Sequence, residues 1–323
     1  MRPARRSVAL AAQLALAASV LWFAGRAVAA QWDAVRSAAL NVHPRWGAIA
    51  LSALVVLGTY ALLIAIWRGA LALWGARLPF WDAAHVWFVS NLGKYVPGKV
   101  WQIGAMGMMA QRRGVAAAVA VGSAIMLTLV NIAVGFAVVF ATGAQVIEAI
   151  GAPPRTSAIG ALATVAVIVA LLATPVILPH LASTIRQISG REVALPPLPT
   201  RAVWLAIVGN AAAWLLYGLA FELLARGVLG RSTGDWVSYT AVYTGSYLVG
   251  YLVLFAPGGL VFREAAMVAG LTRLGLTTAP EAALLAVVSR LWLTVLEIAP
   301  GVLFMAFAAA RRAPPNSPRN VPP

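Results

Sequence analysis

Long apolar runs separated by short polar breaks set the pattern of this chain. Continuous apolar stretches cover Ser7–Gly25, Trp46–Trp67, Val115–Ile147, Ser157–Leu178, Ala202–Phe221 and Ala282–Ala310. Each is close to or beyond the roughly 20 residues that a helix needs to cross a hydrocarbon core about 30 Å thick. None alternates polar and apolar positions, as the strands of a membrane barrel would. Trp46 and Trp67 bracket the second run like an aromatic belt. The first run comes after Arg2, Arg5 and Arg6 and also fits a signal peptide, with Ala27–Ala30 resembling a cleavage site. Its length, and the membrane character of the rest of the chain, favour a retained first helix.

Two further apolar stretches are broken. Trp81–Gln111 is split by Gly93-Lys94-Tyr95-Val96-Pro97-Gly98-Lys99, leaving arms of 11 residues (Ala83–Gly93) and 12 residues (Val100–Gln111). At 1.5 Å per residue each arm is roughly 17 Å long, about half a bilayer. Such a pair is expected to dip into the membrane and return. Trp236–Arg273 is split by Pro257-Gly258-Gly259, and its first arm, Trp236–Ala256, is long enough to span. Whether this second stretch crosses or re-enters stays open on length alone. The excess of arginine expected on the cytoplasmic side favours re-entry for both. Val96-Pro97-Gly98 precedes Arg113 at the same 16-residue offset from proline as Ala256-Pro257-Gly258 precedes Arg273. The expectation is an all-α polytopic membrane protein of six spans and two Pro-Gly-broken re-entrant hairpins. The two halves, about 46–142 and 202–310, would form an inverted repeat inside a single domain, 1–312, with a disordered tail at 313–323.

Composition sharpens this picture. Hydrophobic residues make up 62% and charged residues 10%, against about 25% charged in a soluble domain. A soluble globule and a disordered chain are both excluded. Cysteine is absent, and His43, His85 and His180 lie far apart, so neither a thiolate site nor a classical zinc site is expected. No cofactor is called for. The net charge of +15 would suggest nucleic acid in a soluble protein. In a membrane protein it reads as topology signals and affinity for anionic headgroups, with no nucleic acid. The chain has no G-x-S-x-G, H-E-x-x-H or P-loop, and its nine acidic residues are scattered, so an enzyme is not expected.

The remaining chemistry gathers at the two breaks. All but two of the 24 basic residues are arginine; the exceptions are Lys94 and Lys99. Lysine is a point charge on a flexible stem and suits a phosphate, although snorkelling at a loop tip would also account for the pair. Proline and glycine at Pro97-Gly98 and Pro257-Gly258-Gly259 end one helix and start another, which aims unpaired N–H groups at an anion. A plain kink is the bland alternative. Arg263 and Glu264 come just after the second break. Arg290 and Glu297 lie two turns apart on one helix face and should point into the bundle, as a structural pair or as coupling charges. Asp82, Glu222 and Asn131 suit caps or interhelical hydrogen bonds.

Ser90-Asn91-Leu92-Gly93-Lys94-Tyr95-Val96-Pro97-Gly98-Lys99 resembles the hallmark of the lysylphosphatidylglycerol synthase transmembrane region, a flippase-like family also called UPF0104. Pro257-Gly258-Gly259-Leu260-Val261-Phe262-Arg263-Glu264 resembles its second hallmark, Pro-Gly-Gly-x-Gly-x-Arg-Glu, with Val261 where that pattern has glycine. The resemblance implies movement of a lipid with an anionic or modified headgroup, either an anionic phospholipid or a polyprenyl-phosphate-linked lipid. It carries Lys94, Lys99, Arg263 and Glu264 over by motif position. With Asn91, Tyr95, Pro97, Gly98, Pro257, Gly258 and Gly259 they form the expected lipid-binding set. The expected setting is a bacterial inner membrane with both termini cytoplasmic. A membrane enzyme of headgroup modification, or an accessory subunit working with lipid-biosynthesis enzymes, are the rival readings.

Overall fold

The computed structural model describes residues 43–95, 100–143, 199–253, 259 and 261–310, with helical pieces at 158–163, 165–166, 168–170 and 172–173. The first apolar run, the tail, residues 96–99 with Pro97, Gly98 and Lys99, and Pro257 and Gly258 lie outside the described residues, as do the side chains of Lys94 and Tyr95. All regular structure among the described residues is helical. The helices are α1 (Trp46–Leu73), α2 (Phe80–Asn91), α3 (Val100–Gln111), α4 (Ala117–Thr142), α5 (Thr200–Leu229), α6 (Trp236–Leu252), α7 (Phe262–Arg273) and α8 (Ala279–Ala310), with a 3-10 turn at Leu92–Tyr95 after α2.

Four of these, α1, α4, α5 and α8, are long and apolar enough to cross a membrane. The chain is an integral membrane protein. The two remaining expected spans fall on residues 7–25, which are not described, and 157–178, of which only helical pieces are. α2 and α3 are 12 residues each, α6 is 17 and α7 is 12. At 1.5 Å per residue the 12-residue helices measure about 18 Å, well short of a bilayer core.

Helix ends obey local chemistry. α5 runs eight residues beyond the expected Phe221 because Glu222, nearly buried, pairs with Arg226 one turn on at 2.5 Å. That pairing removes the cost of a lone charge. Gly230, at φ +69°, then closes the helix with a left-handed cap. Asp235 caps α6 by accepting the Ser238 N–H at 2.9 Å. Glu281 accepts the Thr278 N–H and hydroxyl at 2.9 Å, a capping box that opens α8. Asp82, in the first turn of α2, reaches Arg113 Nε at 3.0 Å and ties the two arms of the first break together.

The order long, short, short, long occurs twice. α1 lies along α5, so the halves meet through their first helices. Exchanging the halves maps each packing onto another: α1 on α2 onto α5 on α6, α2 on α3 onto α6 on α7, α3 on α4 onto α7 on α8, and α4 on α6 onto α8 on α2. Buried polar links hold the interior. Ser52 Oγ donates to the Ala220 carbonyl, Trp67 Nε1 to Ser123 Oγ at 3.0 Å, and Trp214 Nε1 to the Asn131 carbonyl at 3.1 Å.

Candidate functional site

A cavity of about 210 Å³ opens inside the bundle. Tyr60, Asn131, Trp214 and Thr294 on its wall fall close to the midpoints of α1, α4, α5 and α8. The cavity therefore sits at half the height of the four long helices, where a membrane is driest. Asn91 and Gln102 from the two arms of the first break, and Arg263 from the start of α7, reach the same space. Residues that flank the two breaks, Asn91 and Gln102 at the first and Gly250 and Arg263 at the second, thus line one cavity.

The second break is shaped by backbone contact. Gly259 has φ +69° and lies against the backbone of Gly250 on α6; a Cβ at Gly259 would stand 2.5 Å from Gly250 Cα. Only glycine fits there, on grounds of both conformation and space. A Cβ on Gly250 would in turn lie 2.8 Å from Arg263 Cβ. This contact sets how α7 begins and where Arg263 points. Val261, at φ 73° and ψ −49°, is the one non-glycine residue with positive φ among the described residues. It occupies the position where the motif has glycine, and a β-branched side chain there is strained.

Arg263 is 8% exposed. Its guanidinium lies 5.3 Å from the Tyr243 ring centroid and 5.2 Å from that of Tyr247, within cation–π range. Its Nη2 is buried and has no hydrogen-bond partner among the described residues. A buried guanidinium N–H without a partner is costly unless a ligand takes it. Glu264 is not on the cavity wall. It stands beside Arg290, Oε1 to Nη1 3.6 Å, an ion pair too long for a hydrogen bond, and neither Glu264 oxygen accepts one among the described residues. Arg290 and Glu297 both line the cavity, as their shared helix face predicts. Glu297 Oε1 accepts the Tyr60 hydroxyl at 3.1 Å.

Of the sequence candidates, the structure brings Asn91, Arg263, Arg290 and Glu297 to the wall, with Gly259 and Glu264 just behind it. Asn131, expected to serve as an interhelical link, does so through its carbonyl while its residue also lines the cavity. What the sequence reading missed is the aromatic wall. Tyr239, Tyr243, Tyr247 and Tyr251 recur every fourth residue on α6, one face of a helix. The last three line the cavity together with Tyr60 and Tyr217. Tyr217 stacks on Tyr243 at 5.7 Å, and Tyr247 on Tyr251 at 6.2 Å. That fourfold spacing is visible in the sequence. Gln102 and Asn210 carry no such signal.

Comparison with curated proteins gives no match. Residues 10–301 match the family described as the lysylphosphatidylglycerol synthase TM region. That span includes both breaks and every residue of the cavity wall, and the chain belongs to this family of membrane domains.

Proposed function

We propose that this protein is a lipid translocase or lipid carrier that holds an anionic headgroup in the central cavity. The observation that carries the reading is the buried, unpartnered Nη2 of Arg263 at the first turn of α7, on the wall of a mid-height cavity. A phosphate entering hydrocarbon must shed its water, which is prohibitively costly without fixed partners. The N–H groups at the α7 start add partial positive charge, and the arginine adds a whole one. Lys94 and Lys99, by motif position, belong to the same headgroup path.

In this reading α2–α3 and α6–α7 are hairpins that re-enter from opposite faces, and the two halves form an inverted repeat. The half-bilayer lengths of α2, α3 and α7 and the packing preserved on exchanging the halves support it. Rocking of one half against the other would then expose the cavity to each side in turn. The protein acts in a bacterial inner membrane with cytoplasmic termini, as the arginine distribution favours. Glu264 couples release to its Arg290 partner or to a proton. Purified protein in liposomes tests the function: a carrier moves labelled anionic lipid between leaflets and leaves its mass unchanged. A changed mass would point to an enzyme, and no movement at all to an accessory subunit.

A further inference from the structure

We propose that Glu297 stands in for the headgroup phosphate while the cavity is empty, and that an arriving headgroup must compete with it for Arg263. Glu297 then sets how readily the headgroup leaves. The inference rests on the anionic-headgroup reading above and adds the residue that opposes binding. A wall built only to hold an anion has no use for a carboxylate, since like charges away from water repel strongly. Two carboxylates nevertheless act on Arg263, those of Glu264 and Glu297. Glu264 lies behind the wall beside Arg290. Glu297 is on the wall itself, on the face of α8 that also brings Arg290, Leu293 and Thr294 to the cavity.

Three observations put the Glu297 charge in the headgroup's space. Glu297 and Arg263 line one cavity, near enough for their charges to attract. The same carboxylate is felt by Tyr217, Tyr243 and Tyr247, which line that cavity from α5 and α6. Its Oε1 accepts the Tyr60 hydroxyl at 3.1 Å, so α1 helps to hold it inward. The attraction to Arg263 leaves an N–H over, because Nη2 has no hydrogen-bond partner among the described residues. An arginine facing an empty, dry cavity without a counter-charge is costly, and Glu297 removes that cost. When a phosphate arrives, the same carboxylate repels it and lowers its affinity. Passage through a membrane requires this balance: a site must be favourable enough to enter and weak enough to leave. Arg263 with no opposing charge would hold a phosphate at half height and stall it there.

The test pairs native mass spectrometry of the full chain with leaflet exchange of fluorescent phosphatidylglycerol in liposomes. The binding probes are phosphatidylglycerol, which carries one negative charge, and uncharged diacylglycerol with the same acyl chains. Glu297→Gln is nearly isosteric and still accepts the Tyr60 hydroxyl. It should bind phosphatidylglycerol about tenfold tighter than the parent, the effect of removing one like charge from a partly buried site. It should also move that lipid more slowly at saturating lipid, and its affinity for diacylglycerol should not change. Glu297→Asp keeps the charge and should show no tightening. Unchanged or weaker binding of phosphatidylglycerol by folded Glu297→Gln overturns the inference and makes Glu297 an anchor for Tyr60. Equal tightening towards diacylglycerol, or tightening in Glu297→Asp, overturns it as well, and movement at the parental rate or faster overturns the part in release. If Glu297→Gln melts more than a few degrees below the parent, Glu297→Met replaces it, and failure of both to fold also overturns the inference. Binding of phosphatidylglycerol by neither the parent nor the neutral variants overturns the anionic-headgroup reading itself. Displacement of phosphatidylglycerol by an equal concentration of inorganic phosphate would make the ligand a soluble anion and overturn the lipid assignment alone.

Discussion

Gly259→Ala perturbs the second break at a point where backbone touches backbone. The substitution costs about 1–2 kcal/mol for placing a Cβ residue in the left-handed region, where Gly259 sits at φ +69°. Its methyl carbon would also stand 2.5 Å from Gly250 Cα and 2.6 Å from Gly250 C. Backbone atoms in a packed helix cannot swing aside as a side chain does, so overpacking adds about 1–3 kcal/mol. The total, about 2–5 kcal/mol, is a large fraction of a typical folding free energy of about 5–15 kcal/mol. Val261→Gly acts in the opposite direction two residues away. It releases about 1–3 kcal/mol of strain at φ 73° and gives back about 0.5–1 kcal/mol to the flexibility of glycine. Val261 is 56% exposed, so little burial is lost. Thermal unfolding in lipid nanodiscs, read by the fluorescence of the 12 tryptophans, should therefore move down several degrees for Gly259→Ala and stay level or rise for Val261→Gly. A Gly259→Ala protein that melts with the parent, or a Val261→Gly protein that melts below it, would refute the backbone-contact account of this break.

The lysines, the α6 cap and the topology give further expected outcomes. Lys94→Ala and Lys99→Ala should reduce lipid movement more than Arg77→Ala, an exposed charge worth about 1 kcal/mol towards anionic headgroups; equal losses at matched expression would return the lysines to snorkelling. Arg68 is not a fair control, because its Nε donates to the Leu78 carbonyl at 3.0 Å and its guanidinium lies 5.8 Å from the Phe80 ring centroid, tying α1 to α2. Hydrogen bonds from the Ser238 hydroxyl and N–H hold the Asp235 carboxyl below its usual range, so its contribution to α6 is complete above about pH 4 and is lost as pH falls through the lowered value. Asp235→Asn should keep the cap and flatten that dependence, whereas Asp235→Ala should cost about 1 kcal/mol at neutral pH; melting curves of both at pH 3 and pH 7 check this. Cysteines placed at Gly107 and Gly270, in a chain with none of its own, should label from the cytoplasmic and outer faces respectively, and labelling from the opposite faces would rule out the two-hairpin topology.

Four of the expected spans, α1, α4, α5 and α8, are legible in the sequence for physical reasons that act locally. A run of apolar residues needs no partner to declare itself a membrane helix. Proline and glycine alone do not declare a break, since Pro300 and Gly301 lie inside α8, and the contact of Gly259 with Gly250 is the tertiary reason that the motif keeps glycine. Arg290 and Glu297 reveal a shared face by spacing alone. Their partners do not appear that way: Glu264 and Tyr60 come from other helices, and only packing joins them. The tyrosines of α6 are hidden because they count as apolar filler in a span, although their fourfold spacing marks a single face. Gln102 and Asn210 are single polar residues in apolar helices, and which way such a residue points depends on neighbours distant in the chain. The end of α5 shifts for a similar reason, since the Glu222–Arg226 pair lets the helix absorb charges that hydropathy reads as a stop.

The most direct test is the rate at which a fluorescent anionic phospholipid changes leaflet in liposomes holding the parent protein or Arg263→Ala, with fold checked by thermal unfolding. A phosphate held by the Arg263 guanidinium at the α7 start predicts movement by the parent with no change in lipid mass, and a fall to the protein-free rate in Arg263→Ala. Movement by a folded Arg263→Ala protein at the parental rate would contradict it, and would leave the buried guanidinium as a structural element of the tyrosine wall.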